Sequence, residues 1–333
     1  MMKKVIVLFI SLFISRWAIA QSLVDTPQIV TSLSMNLAGE VDSVTELTLA
    51  VKILEVGATL QVKGDSGAKV ITVPDTSFSI VEEMAWKFDD KGRLLSEVHN
   101  RPDKRKGDLE EVDAVLYSYK NNKVQYVLRR KDGSLSDSAA YVYNGKDKKL
   151  SMQELYDNKR KYTGRIQYFQ NKEGRLSTIS HKNADLELIK MAKYWYDTEG
   201  ILMSATHHDK DQKLILMQKF DVSTDSAGNL HTMIFDYAKP DTCTGMKSYL
   251  LNDAGNHLED VTQDERGNVL YISTAKFNDY NHIVEQTIFT DVKKVITCTY
   301  EYDDYKNWTL KRIYHNGVPQ FFVRRTIIYK SNS

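Results

Sequence analysis

The sequence predicts an all-β fold of repeated antiparallel hairpins, laid into one long, curved or spiralling sheet. Three observations predict it. An aromatic anchor recurs at Phe88, Tyr119, Tyr143, Phe169, Tyr196, Phe220, Tyr249, Phe277 and Tyr302, spaced 24 to 31 residues apart, and a period of this size marks a repeat architecture. Asp, Asn and Gly follow most anchors, the residues that tolerate positive φ or bond back to their own backbone. Helix signals are scarce. A closed β-propeller, with two units to a four-stranded blade, is the alternative for the same pattern.

The first twenty residues read as an export leader. Lys3 and Lys4 form a basic start, Val5 to Ile14 is an apolar run, and Ala18-Ile19-Ala20 is a small-x-small cleavage site that leaves Gln21 first. No Cys follows that site, which argues against a lipid anchor. No later stretch approaches a transmembrane helix, so no integral membrane segment is expected after leader removal. The expected location is periplasmic, cell-surface or secreted. Losing Lys3, Lys4 and Arg16 takes the balance from 45 basic and 44 acidic residues to 42 and 44. That is no footprint for nucleic acid. The 19 Tyr against 11 Phe mean that many rings keep a polar end near water.

Residues 21–83 form an N-terminal β segment leading into the array. Leu47, Leu49, Val51 and Ile53 alternate with Thr48, Ala50 and Lys52, the period of a half-buried strand. Thr59–Lys63 and Ala68–Val73 flank a Gly64–Gly67 turn and predict a hairpin. Pro74 is expected to end it, because proline cannot donate to a ladder.

Residues 84–333 carry the repeat. Trp86-Lys-Phe88-Asp89-Asp-Lys-Gly92-Arg-Leu94 is the cleanest early copy, and Tyr194-Trp-Tyr196-Asp197-Thr-Glu-Gly200-Ile-Leu202 a later one. Second turns fall midway, as at Lys131-Asp132-Gly133, Tyr156-Asp157-Asn158, His181-Lys182-Asn183 and His315-Asn316-Gly317. A unit is therefore strand, turn, strand, turn. Asp185–Ala192 has the pattern of a short helix but no good caps. Residues i and i+2 of a strand share a face, so Trp86/Phe88, Tyr117/Tyr119, Tyr141/Tyr143, Tyr194/Tyr196 and Tyr300/Tyr302 each place two rings together. Stacked units would make an aromatic stripe and bury it against neighbours.

These units resemble the YD repeats of the RHS-repeat proteins. The ending Tyr302-Asp303-Asp304-Tyr305-Lys306-Asn307-Trp308 looks like the Tyr-Asp-x-x-Gly-Asn-Trp form of exported bacterial relatives, with Lys306 in place of the Gly. The resemblance covers about residues 84–330. It implies a long antiparallel sheet that spirals or closes into a shell. Large family members enclose a toxic C-terminal domain, and no such cargo is expected after Lys330.

Candidate chemistry is thin. His207-His208-Asp209-Lys210-Asp211 is the densest set of metal-ligand types, but no completing ligands are spaced elsewhere, and a polar hairpin tip explains it better. Asp89-Asp90 and Asp303-Asp304 lack the ligand ladder of a calcium loop and read as turns. His99, His257, His282 and His315 are expected as exposed turn residues. Nucleophile elbows, zinc-protease motifs and phosphate-cradling loops are absent. No catalytic, cofactor or metal residue is assigned. Cys243 and Cys298 could pair in an oxidising compartment, or stay as buried thiols. An outer-membrane barrel needs strands with one uniformly apolar side, and charges interrupt both sides here. The expected function is therefore an exported, non-enzymatic repeat protein that binds or scaffolds, with an unknown protein or glycan as partner. The alternative is a glycan-binding or hydrolytic propeller-like protein. If rings of the stripe face solvent, Trp195 is a candidate contact.

Overall fold

In a computed structural model the chain is described at residue 35 and over residues 37–64, 67–103, 108–144 and 149–330, with 52–76 described by backbone only. The expected leader lies outside the described residues. Twenty strands make one sheet. In chain order they are β1 (Val41–Gly64), β2 (Gly67–Phe88), β3 (Leu94–Pro102), β4 (Leu109–Lys120), β5 (Lys123–Lys131), β6 (Ser134–Asn144) and β7 (Lys149–Asp157). Then follow β8 (Tyr162–Gln170), β9 (Leu176–Asn183), β10 (Leu188–Tyr196), β11 (Leu202–Asp209), β12 (Leu214–Thr224), β13 (Leu230–Lys239) and β14 (Thr242–Leu251). The last six are β15 (His257–Asp264), β16 (Val269–Phe277), β17 (Ile283–Phe289), β18 (Lys293–Tyr302), β19 (Trp308–His315) and β20 (Val318–Tyr329). No helix occurs among the described residues. Residues 183–188 form a hairpin turn where a short helical pattern stands in the sequence.

Each strand pairs antiparallel with its chain neighbours, and β1 also pairs with β20, from Val41↔Tyr329 to Ala50↔Phe321. That last ladder closes the sheet into a barrel. The all-β run of antiparallel hairpins is as expected, but the closing ladder corrects the open spiral and the propeller. An open spiral would leave β1 and β20 as free edges, and a propeller would split the strands into separate blades. Closure pairs the two edges that an open sheet would leave at β1 and β20. It also corrects the expectation of no integral membrane segment. That expectation rested on the lack of a long apolar helix and on the charges that interrupt both sides of the strands. Closed barrels are the β structures that satisfy their backbone groups inside a bilayer, and the absence of such a helix among the described residues says nothing about them.

Two local devices repeat around the ring. The first is a five-residue Asx turn. At Asp89 the amide donates to the Arg93 carbonyl and receives in return the Gly92 amide on its own carbonyl, both at 2.9 Å. Its Oδ1 accepts from the Lys91 and Arg93 amides, also at 2.9 Å. The same backbone pairing recurs at Asp157, Asn171, Asn183, Asp197, Asp209, Asp225, Asn252, Asp264, Asn278 and Asp303, so both ends of the barrel use it. Asn121-Asn122, Asp132-Gly133 and Asn316-Gly317 instead make two-residue turns with positive φ at both positions, as hairpin twist favours. The second device is a bulge just after the aromatic turns. Leu95, Gln125, Ser151, Ser177, Met203, Leu258, Val284 and Thr309 are each the extra residue against one partner. Bulges sharpen local twist, which a sheet needs in order to close.

One face of the ring is consistently the more buried. Its clusters come from consecutive strands. Ile166, Tyr168, Ile179, Ala192, Tyr194, Leu202, Ala205, Phe220 and Ile234 form one, Val124, Val127, Ala139 and Tyr141 another. Leu37, Val41, Val44, Phe88 and Leu94 form a third across the closing seam. Each Val, Leu, Ile or Phe side chain among them, fully buried, stabilises by about 1.5–3 kcal/mol. Neighbouring units are also tied by hydroxyls. Tyr119 donates to the Leu94 carbonyl (2.6 Å), Tyr143 to that of Val124 (2.8 Å), Tyr196 to that of Leu176 (2.9 Å) and Tyr300 to that of Ile283 (2.8 Å). This explains the preference for Tyr over Phe at these anchors: the ring packs and its polar end meets the next hairpin.

The β1–β2 hairpin turns at Gly64↔Gly67, as the sequence predicts. It does not end at Pro74. Pairing runs on through Asp75↔Leu54, and Pro74 stands at the register irregularity between Leu54 and Ala58, where no ladder amide is demanded of it. Because β20 pairs β1 only as far as Ala50 and β3 pairs β2 only from Glu83, the hairpin projects beyond the ring.

Candidate binding surface

Most residues with the means for chemistry are engaged in holding the fold. Asp209 uses its Oδ1 to accept from the Asp211 and Lys213 amides, both at 2.9 Å, so the cluster 207–211 is a capped hairpin tip. His207 Nε2 lies 3.3 Å from Gln218 Oε1, and Gln218 donates to Asp236 at 2.9 Å. Asp89 is braced by Arg93 Nε at 2.6 Å. Burial would raise the Asp89 carboxyl, but the Arg93 hydrogen bond and the two turn amides outweigh it and hold its pKa below the usual value. Asp303 repeats the turn, accepting from the Tyr305 and Asn307 amides at 3.0 and 2.9 Å. No group of three or more His, Cys, Asp or Glu converges among the described residues.

The histidines differ from expectation. His282 is buried and stacks against both Tyr300 and Tyr302, with ring centroids at 5.1 and 5.7 Å. His99 meets the buried Glu82 at 3.1 Å, and His257 Nδ1 lies 2.6 Å from Asp260. His99 lies within β3, His257 opens β15 just after a turn and His282 closes the Asn278 turn, so what differs is their partners and burial, which spacing alone does not reveal. Cys243 and Cys298 are both free thiols. They lie on β14 and β18, about 19 Å apart along the sheet at ~4.8 Å per strand, while a disulfide needs Cα atoms within about 7 Å.

The stripe divides as alternation requires. Tyr194 is buried, and Trp195 beside it is 45% exposed on the opposite, open face. Phe169, Met203 and Ile215 are also exposed there. Cross-strand rows place polar groups among them. Trp195 faces Ser204 and then Lys219. Phe169 faces Thr178, then Lys193, then Thr206. Gln167 faces Ser180, then Met191, then His208. Rings beside hydroxyls and cations can stack on a ligand and hydrogen-bond it at once. The sequence identifies Trp195 as a candidate contact. It does not reveal the polar rows, because they depend on the register of five strands, β8 to β12.

No protein-family model matches the chain, and no curated protein matches its sequence. Among solved structures it is similar to a porin-like protein from Bacteroides uniformis, at 12% identity and TM-score 0.34, over 87% of this chain and 98% of that one. A porin-like protein from Bacteroides vulgatus gives 11% and 0.20 over the same shares. The Photorhabdus luminescens Tc holotoxin pore gives 9% and 0.20, over 83% of this chain and 20% of that one. At these scores the likenesses carry no functional argument, and the barrel stands on its own ladders.

Proposed function

We propose that the chain is an exported, non-enzymatic barrel of the cell envelope, built from YD-type units, that binds a saccharide or protein partner through its open face. The observation that carries this reading is the division at Tyr194 and Trp195. At Tyr194 and Trp195, and again at Tyr168 and Phe169, one ring is buried and the next is solvent-facing, large and rigid, beside a hydroxyl and a lysine in its cross-strand row. The turn acids and the anchor tyrosines are engaged in the fold, which supports binding rather than catalysis. The test is retention of the mature chain on saccharide and peptide arrays. Retention should fall at least tenfold for Trp195→Ala, with the fold unchanged by circular dichroism. Equal retention of the variant would sink the assignment of this face.

Closure of the ring favours a second reading, in which the barrel is seated in an outer membrane. Release of the expressed chain by alkaline carbonate without detergent would rule this out. Retention in the pellet, with heat-dependent gel mobility, would support it.

A further inference from the structure

We propose that the open face of β8–β11 is an oxyanion site, and that its occupant is an acidic saccharide bearing sulfate or carboxylate groups. The inference rests on the binding reading above and specifies its ligand. Four buried polar atoms there have no hydrogen-bond partner: Arg165 Nε, Ser180 Oγ, Thr206 Oγ1 and His208 Nδ1. Ser180 is only 5% exposed. A buried polar group without a partner carries its full desolvation penalty, so several on one face call for a common explanation.

The register brings them together. Ser180 and His208 flank Met191 from either side, and Thr178 and Thr206 flank Lys193. Arg165 lies on β8, two residues from Gln167, which is opposite Ser180. From β8 to β11 the cluster spans about 14 Å at ~4.8 Å per strand, room for more than one charged group. Every orphan atom can donate: a guanidinium N–H, two hydroxyls and an imidazole nitrogen. Their shared complement is a group that only accepts, which is an oxyanion. The charge on the face agrees. Arg165, Lys182, Lys193 and Lys219 stand on the open rows of β8–β12. The acids nearby are Asp209, which is close enough to act on His208 but is held by the Asp211 and Lys213 amides, Asp221 on β12, and Glu154, opposite Arg165, which already accepts from the Tyr156 hydroxyl at 2.8 Å. The exposed rings of Phe169 and Trp195 border the cluster, placed to stack on sugar faces while the cations and hydroxyls take the charged substituent.

The test is calorimetric titration of the mature chain with a dextran sulfate oligosaccharide, an oligogalacturonate, and a neutral dextran oligosaccharide of equal length. Binding to one or both acidic probes is expected, weakening as salt rises, with the neutral probe at least tenfold weaker. Lys193→Gln should weaken the acidic probe about tenfold. Ser180→Ala and Thr206→Val should weaken it about fivefold while leaving the melting temperature equal or raised, because each deletes an unpartnered buried hydroxyl. A merely structural role would lower the melting temperature and leave binding alone. Equal binding of neutral and acidic probes would overturn the oxyanion assignment and leave the binding reading standing. No binding of any probe would overturn the oxyanion assignment, and the binding reading would then depend on its peptide array.

Discussion

The Arg325 guanidinium lies 3.5 Å from the centroid of the Trp308 ring, and both side chains are buried at the seam that closes the barrel. Arg325 also donates through Nε to Glu46 at 2.8 Å, across the β20–β1 ladder. One side chain thus joins the last hairpin to the first strand through a cation–π contact and a charge-assisted pair. Arg325→Ala strips a largely buried carboxylate of its partner and should cost about 3–5 kcal/mol. Arg325→Lys keeps the charge but loses the planar fork, and should fall between. Urea unfolding followed by tryptophan fluorescence would measure both. A loss under 1 kcal/mol for the alanine variant would show that the seam does not depend on this residue.

Asn307, next to Trp308, fastens the same seam near its end. It is 1% exposed. Its Oδ1 accepts from the Ala38 amide at 2.7 Å, and its Nδ2 donates to the Ala38 carbonyl at 2.8 Å and to the Tyr329 hydroxyl at 2.7 Å. Asn307→Ala leaves both backbone groups of Ala38 without this partner and should cost about 2–4 kcal/mol, since each orphaned buried group costs ~1–3 kcal/mol. Hydrogen exchange at the Ala38 amide should speed up well before global unfolding. Unchanged protection there would mean that the clasp contributes nothing local.

How much of this was legible follows from what each feature depends on. The Asx turns were readable because Asp or Asn at one position and Gly three later are local demands, as at Asp89 and Gly92. The doublets were readable because alternation is local too. Closure was not, because the match of Val41 to Tyr329 joins residues from opposite ends of the chain, and a repeat looks the same whether it stays open or returns on itself. Trp308 illustrates the difference. Its place beside the last turn can be read locally, while its contact with Arg325, which reaches Glu46 on β1, cannot. The open-face cluster was hidden for the same reason: Ser180 and Thr206 meet Met191 and Lys193 only through ladders, and neither residue belongs to a recognisable motif.

Lys306 tests the backbone demand of the turn. It has φ 68°, the left-handed region, where Gly92, Gly174 and Gly267 stand in sister turns at 71°, 74° and 81°. A side chain there costs about 1–2 kcal/mol against glycine in conformational strain, partly offset by glycine's greater unfolded-state freedom. Lys306→Gly should therefore stabilise by about 0.5–1 kcal/mol. Gly164 is the opposite case. A Cβ built there would sit 2.2 Å from the Lys182 carbonyl oxygen, on a backbone at φ 153°. Gly164→Ala should destabilise by more than about 2 kcal/mol, because the β8–β9 ladder itself would have to shift. Thermal melts of the two variants moving in the same direction would contradict this account of the turns and ladders.

Asp225 makes the pH dependence of the turns testable. The Asn229 side chain donates to its Oδ2 at 2.9 Å, and the Asn229 and Ala227 amides donate to its Oδ1 at 2.8 and 2.9 Å. These donors hold its pKa below the ordinary aspartate value of 3.8, the Asn229 side chain foremost. A carboxyl depressed in the folded state contributes stability that is fully present above the unfolded pKa. That contribution is lost as pH falls through the folded value. Stability should thus be level above about pH 5 and decline below about pH 4 as such turns protonate. Asp225→Asn separates charge from geometry. Asn171, Asn252 and Asn278 form the same turn with a neutral amide accepting through Oδ1, so the variant should fold at neutral pH with a small loss. Its stability should then fall less steeply than wild type between pH 4 and pH 2. Parallel acid limbs for the two proteins would show that the Asp225 charge is not what the turn loses in acid.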